Sequence, residues 1–149
     1  PFEKGFLTIE DEIKTLIELQ DMHNVGITIN WARSAIEGRN ISKPLEHIEM
    51  ALKNNILSGL IFSGVSDNDI QYGSWKDTHM PFAQSFDVKF YEENSFLTYE
   101  NIINTLKSLN VNDLDYLGIK LLSMPIESAT IERRIGINYD AVSILNLSI

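Results

Sequence analysis

Three short segments hold the residues best suited to chemistry. In the first, Asp77 and His79 stand one residue apart, with Tyr72, Gly73, Trp75, Lys76 and Pro81 close by. A carboxylate beside an imidazole serves either as two ligands of a divalent cation or as an acid–base couple, because imidazole changes charge near neutral pH. Trp75 adds an aromatic surface for substrate. The second segment runs Asn30-Trp31-Ala32-Arg33-Ser34-Ala35-Ile36-Glu37-Gly38-Arg39. Arg33 can grip a carboxylate or phosphate through two parallel N–H bonds. Asn30 can bond a sugar hydroxyl, and Trp31 can stack on a sugar face. Glu37 either joins that substrate-binding group or pairs with Arg33 to shape a loop, in which case Trp31 belongs to the core. The third segment contains Lys120, set within apolar residues where its charge is costly unless paired or used, and Glu127, either a metal ligand or a favourable charge near a helix N-terminus. The candidates are therefore Asp77, His79 and Lys120 for catalysis. Asn30, Trp31, Arg33, Glu37 and Trp75 are candidates for substrate, and Asp77, His79 and Glu127 for a metal such as Mn, Mg or Zn. Of the other histidines, His23 sits at a helix C-terminus and His47 within a helix, where it is expected to be solvated.

These segments must be held by regular elements, and the pattern predicts which. Thr8 caps a helix, with Asp11 three residues on and Ile9, Ile13, Leu16 and Ile17 at helical spacing, ending near His23-Asn24. Val25, Ile27 and Ile29 alternate as a strand that runs out at Asn30-Trp31. Residues 32–41 read as a polar loop. Ser42 and Pro44 open a second helix carrying Leu45, Ile48, Ala51 and Leu52. Residues 58–64 form a nearly continuous apolar run, as in a strand buried on both faces. A long loop, 65–94, follows; loops of that length are uncommon and often functional. Thr98 caps a third helix with Ile102, Ile103, Leu106 and Leu109. Residues 116–122 read as a strand broken by Met124-Pro125. A last helix begins near 128–130 and carries Ile131, Ile135, Val142 and Leu145.

The order is helix, then three strand–helix units, each strand opening with Gly before an aliphatic residue (Gly26, Gly59, Gly118). Alternation of this kind predicts an α/β fold of consecutive βα units with parallel strands. Three strands leave both edges open. A single domain over residues 1–149 that is the C-terminal portion of a TIM-type (β/α)8 barrel is therefore expected, since a whole barrel takes about 250 residues. The alternative is a small open parallel α/β sheet. The first residue is Pro rather than Met, which fits a missing N-terminal half, or self-association that covers the open edges.

Composition limits the function classes. A net charge of −9 opposes binding to phosphate backbones, so no nucleic-acid partner is expected. With no cysteine, thiolate metal sites and disulfides are excluded. No apolar run approaches the ~18 residues of a membrane span and no signal peptide is visible, so no membrane partner and a cytoplasmic location are expected.

Across residues 30–39, 59–64 with 77–81, and 118–125, the chain resembles an uncharacterised bacterial family of xylose-isomerase-like TIM barrels. The likeness covers most of the chain, as the C-terminal part of that barrel. It implies a sugar or sugar-phosphate isomerase or epimerase, with a divalent metal held by Glu, Asp and His at strand ends. Relatives often carry an acidic residue or His after the first of these strands. Here the sequence reads Asn30-Trp31-Ala32-Arg33, and the alternative implied is a carbohydrate-binding barrel that has lost its metal.

Overall fold

A computed structural model describes residues 7–85 and 88–149. Thr8, Thr98 and Thr130 each accept the backbone N–H three residues on, and so start α1 (Ile9–Gln20), α4 (Tyr99–Lys107) and α5 (Ile131–Ser148). Pro44 lies in the first turn of α3 (Lys43–Lys53), where its missing N–H costs nothing. Ser42 makes no side-chain cap bond to the backbone; its hydroxyl donates to Glu46 instead.

The segment read as a polar loop is in fact a helix, α2 (Trp31–Gly38). Asn30 caps it, its Oδ1 accepting the Arg33 N–H at 3.2 Å. Arg39 closes it in the left-handed region, at φ 46°. The helix is short and carries Arg33, Ser34 and Glu37, which hid its buried face of Trp31, Ala32, Ala35 and Ile36.

Three strands, β1 (Ile27–Asn30), β2 (Leu57–Phe62) and β3 (Tyr116–Ile119), form a parallel sheet in the order β1-β2-β3. The fold is thus α/β with a small open parallel sheet. Ile29, Leu60 and Leu117 lie in register on one face, followed by the pair Phe62 and Ile119. That face belongs to the core, with α3 packed on β1 and β2, and α5 on β3. The opposite face holds the register row Thr28, Gly59 and Tyr116. A Cβ at Gly59 would come within 2.5 Å of the Tyr116 ring. The missing side chain therefore lets Tyr116 lie across β2 and reach the Thr28 hydroxyl. Beyond it come Asn30, Ile61 and Gly118, and a Cβ at Gly118 would touch nothing within 4 Å. Parallel sheets normally bury both faces; here one is packed, while on the other Thr28, Asn30, Ile61 and Gly118 are half-buried and Tyr116 is exposed.

The long connection after β2 has no helix or ladder among its described residues, yet it is tied down. Gly64 N–H donates to the Met80 carbonyl at 2.7 Å and Trp75 N–H to that of Ser66 at 2.7 Å. Asp69 Oδ1 accepts the N–H groups of Gln71 and Tyr72, each at 2.8 Å. Val65, Tyr72, Met80 and Phe82 anchor the connection in the interior.

Two expectations about side-chain placement are corrected. β3 stops at Ile119, so Lys120 lies just past the strand rather than inside it, with an exposed side chain. In α5, Ile131, Ile135 and Val142 face outward; the packed face is Ile137, Ala141, Ile144 and Leu145. The helix is apolar on two sides, and periodicity cannot choose between them. No helix among the described residues is long and apolar enough to cross a membrane.

Candidate functional site

Parallel packing of β1 against β2 brings their C-terminal ends together, and the connections that follow meet there. Asn30, the last residue of β1, accepts the Ser63 hydroxyl at 3.0 Å in addition to capping α2. Its amide is thereby committed to structure on its carbonyl side. One turn into α2, Arg33 donates from Nε to Asp77 Oδ2 at 3.1 Å. The other carboxylate oxygen of Asp77 lies 3.0 Å from His79 Nδ1. Residues 44 positions apart thus converge on one carboxylate.

Burial is graded across the cluster. The Asp77 side chain is 2% exposed, His79 20% and Arg33 33%. The acid is enclosed while its two partners reach solvent. An enclosed carboxylate costs several kcal/mol unless paired, so the adjoining cation matters to the fold as well as to chemistry. Asp77 and His79 are in contact without an aligned hydrogen bond, a looseness common before substrate binds. His79 itself sits in the left-handed region, at φ 58°, as does Trp75 at 51°. Such backbone strain in residues with side chains costs about 1–3 kcal/mol each and gathers at functional sites.

Other predicted residues fall differently. Trp31 is 1% exposed and donates its ring N–H to the Thr105 hydroxyl at 3.1 Å. It is a core residue, so the stacking role is corrected. Trp75 is half-buried, its ring tilted against Phe96 with centroids 5.5 Å apart. Glu37 is exposed, and its carboxylate meets the Ile9 N–H at 3.5 Å. Glu127 is exposed. Among the described residues no three His, Asp or Glu side chains gather as a metal set, so Glu127 does not join Asp77 and His79.

A cleft of about 70 Å³ lies beside β1, with Glu12, Asn30, Arg33, Ser34, Glu37 and His47 in its wall. Burial, reinforced by neighbouring Glu37, pushes the Glu12 carboxyl up. His47 is buried rather than solvated, its Nδ1 2.9 Å from the Ser34 hydroxyl. Burial holds its pKa down.

A second polar group was not foreseen. The Tyr72 hydroxyl accepts the Met124 N–H at 3.0 Å and donates to the Leu122 carbonyl at 3.0 Å, with Glu92 Oε1 a further acceptor at 3.3 Å. Arg133 pairs with Glu92 and donates to the Ser123 hydroxyl at 3.1 Å. Burial pushes Tyr72 up to about 12, and burial also raises Glu92 against the opposing pull of Arg133. Leu122 N–H in turn donates to the His79 carbonyl at 2.8 Å, so this network braces the backbone of the first cluster. No spacing in the sequence marks it, because its members come from the long loop, the segment after β3 and the first turn of α5.

Comparison with known proteins gives a family model described as a domain of unknown function (DUF4862), matched over residues 1–137. An uncharacterized protein of Salmonella typhimurium is 35% identical over 142 residues, which is 95% of this chain. The chain spans 42% of that relative's length. No solved structure matches.

Proposed function

Because the chain belongs to the family described as a domain of unknown function (DUF4862), we propose an activity from the site chemistry and from the resemblance to xylose-isomerase-like barrels. In this reading the protein is a sugar or sugar-phosphate isomerase or epimerase, and the three βα units are part of a TIM-type barrel. The observation that carries it is the enclosed Asp77 held between the partly exposed Arg33 and His79 at the ends of adjacent parallel strands, where such folds bind small molecules.

Asp77 would fix His79 by its Nδ1 side, leaving Nε2 for substrate. Nε2 would take the proton from the carbon next to the sugar carbonyl. The C–H electron pair would form the enediolate while the proton on Nε2 exchanges with solvent. A proton from Nε2 would then go to the neighbouring carbon as the hydroxyl proton passes to the former carbonyl oxygen, or a solvent proton would reach the opposite face of the original carbon in an epimerisation. Arg33 would stabilise the developing oxyanion or hold a phosphate. The half-buried sheet face bearing Asn30 would form the lumen side of the site. A divalent ion, if held there, would find two donors in Asp77 and His79, with the rest coming from outside the described residues, and His79 would then be a ligand in place of acting as the base.

Proton NMR in D₂O with a panel of aldoses, ketoses and their phosphates tests this. The substrate should lose the C–H signal beside its carbonyl, and His79→Ala should slow that loss by at least about 100-fold. Exchange unaffected by His79→Ala would remove His79 as the base. Mn²⁺ calorimetry on Asp77→Ala and His79→Ala tests the metal arm: a tenfold loss of affinity, about 1.4 kcal/mol, is expected if both are ligands.

A further inference from the structure

β3 and α5 pack on each other, and both are under-buried. β3 is an edge strand with no fully buried residue, whereas its neighbour β2 includes Leu60 and Phe62 at 0% exposure. α5 packs on β3 and carries an outward row of Ile131 (76% exposed), Ile135 (64%), Tyr139 (72%) and Val142 (45%). Steps of four, four and three residues keep them on one helix face. A row of large apolar side chains along an 18-residue helix is more than scattered surface hydrophobicity, and such patches mark interfaces. β3, on which α5 packs, has one edge that pairs with no strand among the described residues, and such an edge is a template for a further strand.

We propose that this edge and this row form one docking surface for a further strand–helix unit. The strand would pair with β3 and the helix would pack on Ile131, Ile135, Tyr139 and Val142. The occupant is supplied by the part of the longer family protein that this chain does not span: the Salmonella relative has more than half its length outside the match. A second copy of this chain would offer its own β1 or β3 edge, and the homodimer this gives is an outcome that the test below decides. The inference is independent of the proposed activity and of barrel closure, since one more strand in an open sheet would cover the same surface.

Two measurements test it. In the intact Salmonella relative, the segments aligned with 116–119 and 131–148 should resist hydrogen exchange as strongly as that aligned with 57–62. In this chain alone they should exchange far faster. Equal protection in both proteins, or fast exchange in both, overturns the proposal. Mixing this chain with the remainder of the relative should give a one-to-one complex by light scattering, and Ile135→Glu should weaken it at least tenfold while leaving the circular dichroism unchanged. Arg33→Lys should leave the complex intact, which separates a failed interface from a failed active site. A complex indifferent to Ile135→Glu, or a homodimer of this chain that Ile135→Glu dissolves, would overturn the assignment.

Discussion

Asp77 accepts from an arginine in the first turn of α2 and touches a histidine held in a strained backbone. Disturbing the Arg33–Asp77 pair from either side should therefore be felt in stability and not only in binding. Arg33→Lys and Asp77→Asn should each cost roughly 1–3 kcal/mol, and a double-mutant cycle should show clear non-additivity. Additive losses would mean that the pair is not coupled. Glu37→Gln, at an exposed site, should stay within about 0.5 kcal/mol. The strain at His79 gives a second expectation. His79→Gly should be more stable than His79→Ala by about 1 kcal/mol, because glycine adopts a φ of 58° without a Cβ penalty. Equal stability would show that the strain is relieved elsewhere. His47 supplies the pH dependence. Its folded pKa lies below the ordinary 6.5 because of burial, so the unfolded chain takes up a proton where the folded one does not. Its stabilising contribution is complete above pH 6.5 and is lost as pH falls toward the depressed value. Thermal melts between about pH 7.5 and 5 should show that loss, and His47→Gln should flatten it. Glu12 and Glu92, both raised by burial, act in the opposite sense: their cost appears as pH rises above 4.5.

At the scale of elements, the three glycines read as opening the strands look alike in sequence, but Gly26 precedes β1 while Gly59 and Gly118 lie inside β2 and β3 and meet different surroundings. Gly118 faces open space, so Gly118→Ala should be close to neutral. Gly64, just after β2, is more constrained: a Cβ there would come within 2.6 Å of the Pro81 carbonyl and 2.8 Å of that of Met80. Those are backbone atoms that cannot step aside, and the Gly64–Met80 bond fastens the loop carrying Asp77 and His79. Gly64→Ala should cost about 1–3 kcal/mol and shift the His79 resonances. Unchanged spectra would show that the loop is held by other means. The helix starts at Thr8, Thr98 and Thr130 were legible because a cap is a local event of a few residues. α2 was missed for the converse reason. Its cap is Asn30, inside what reads as a strand end, and its buried face is spread over only eight residues.

For the whole molecule, a central β2 flanked by two edge strands predicts a gradient of stability. Amides of Leu60 and Phe62 should exchange only through global unfolding, whereas those of β3 should exchange through a smaller opening; uniform protection would contradict the open-edge arrangement. The alternation of strands and helices, the parallel sheet and the long tied loop were readable from the chain alone, because each follows from local period, caps and breakers. So was the convergence of strand ends, since parallel topology enforces it. Which side chains meet there was not. Trp31 and Arg33 are two positions apart in one segment, yet one fills the core against Thr105 while the other crosses to Asp77. Tyr72, Glu92, Ser123 and Arg133 form a network that no interval in the sequence announces. Likewise α5 carries two apolar faces, and only packing against β3 decided which would be buried. Local periodicity sets what an element is, whereas the partner of a side chain depends on loop paths and burial that only the folded chain establishes.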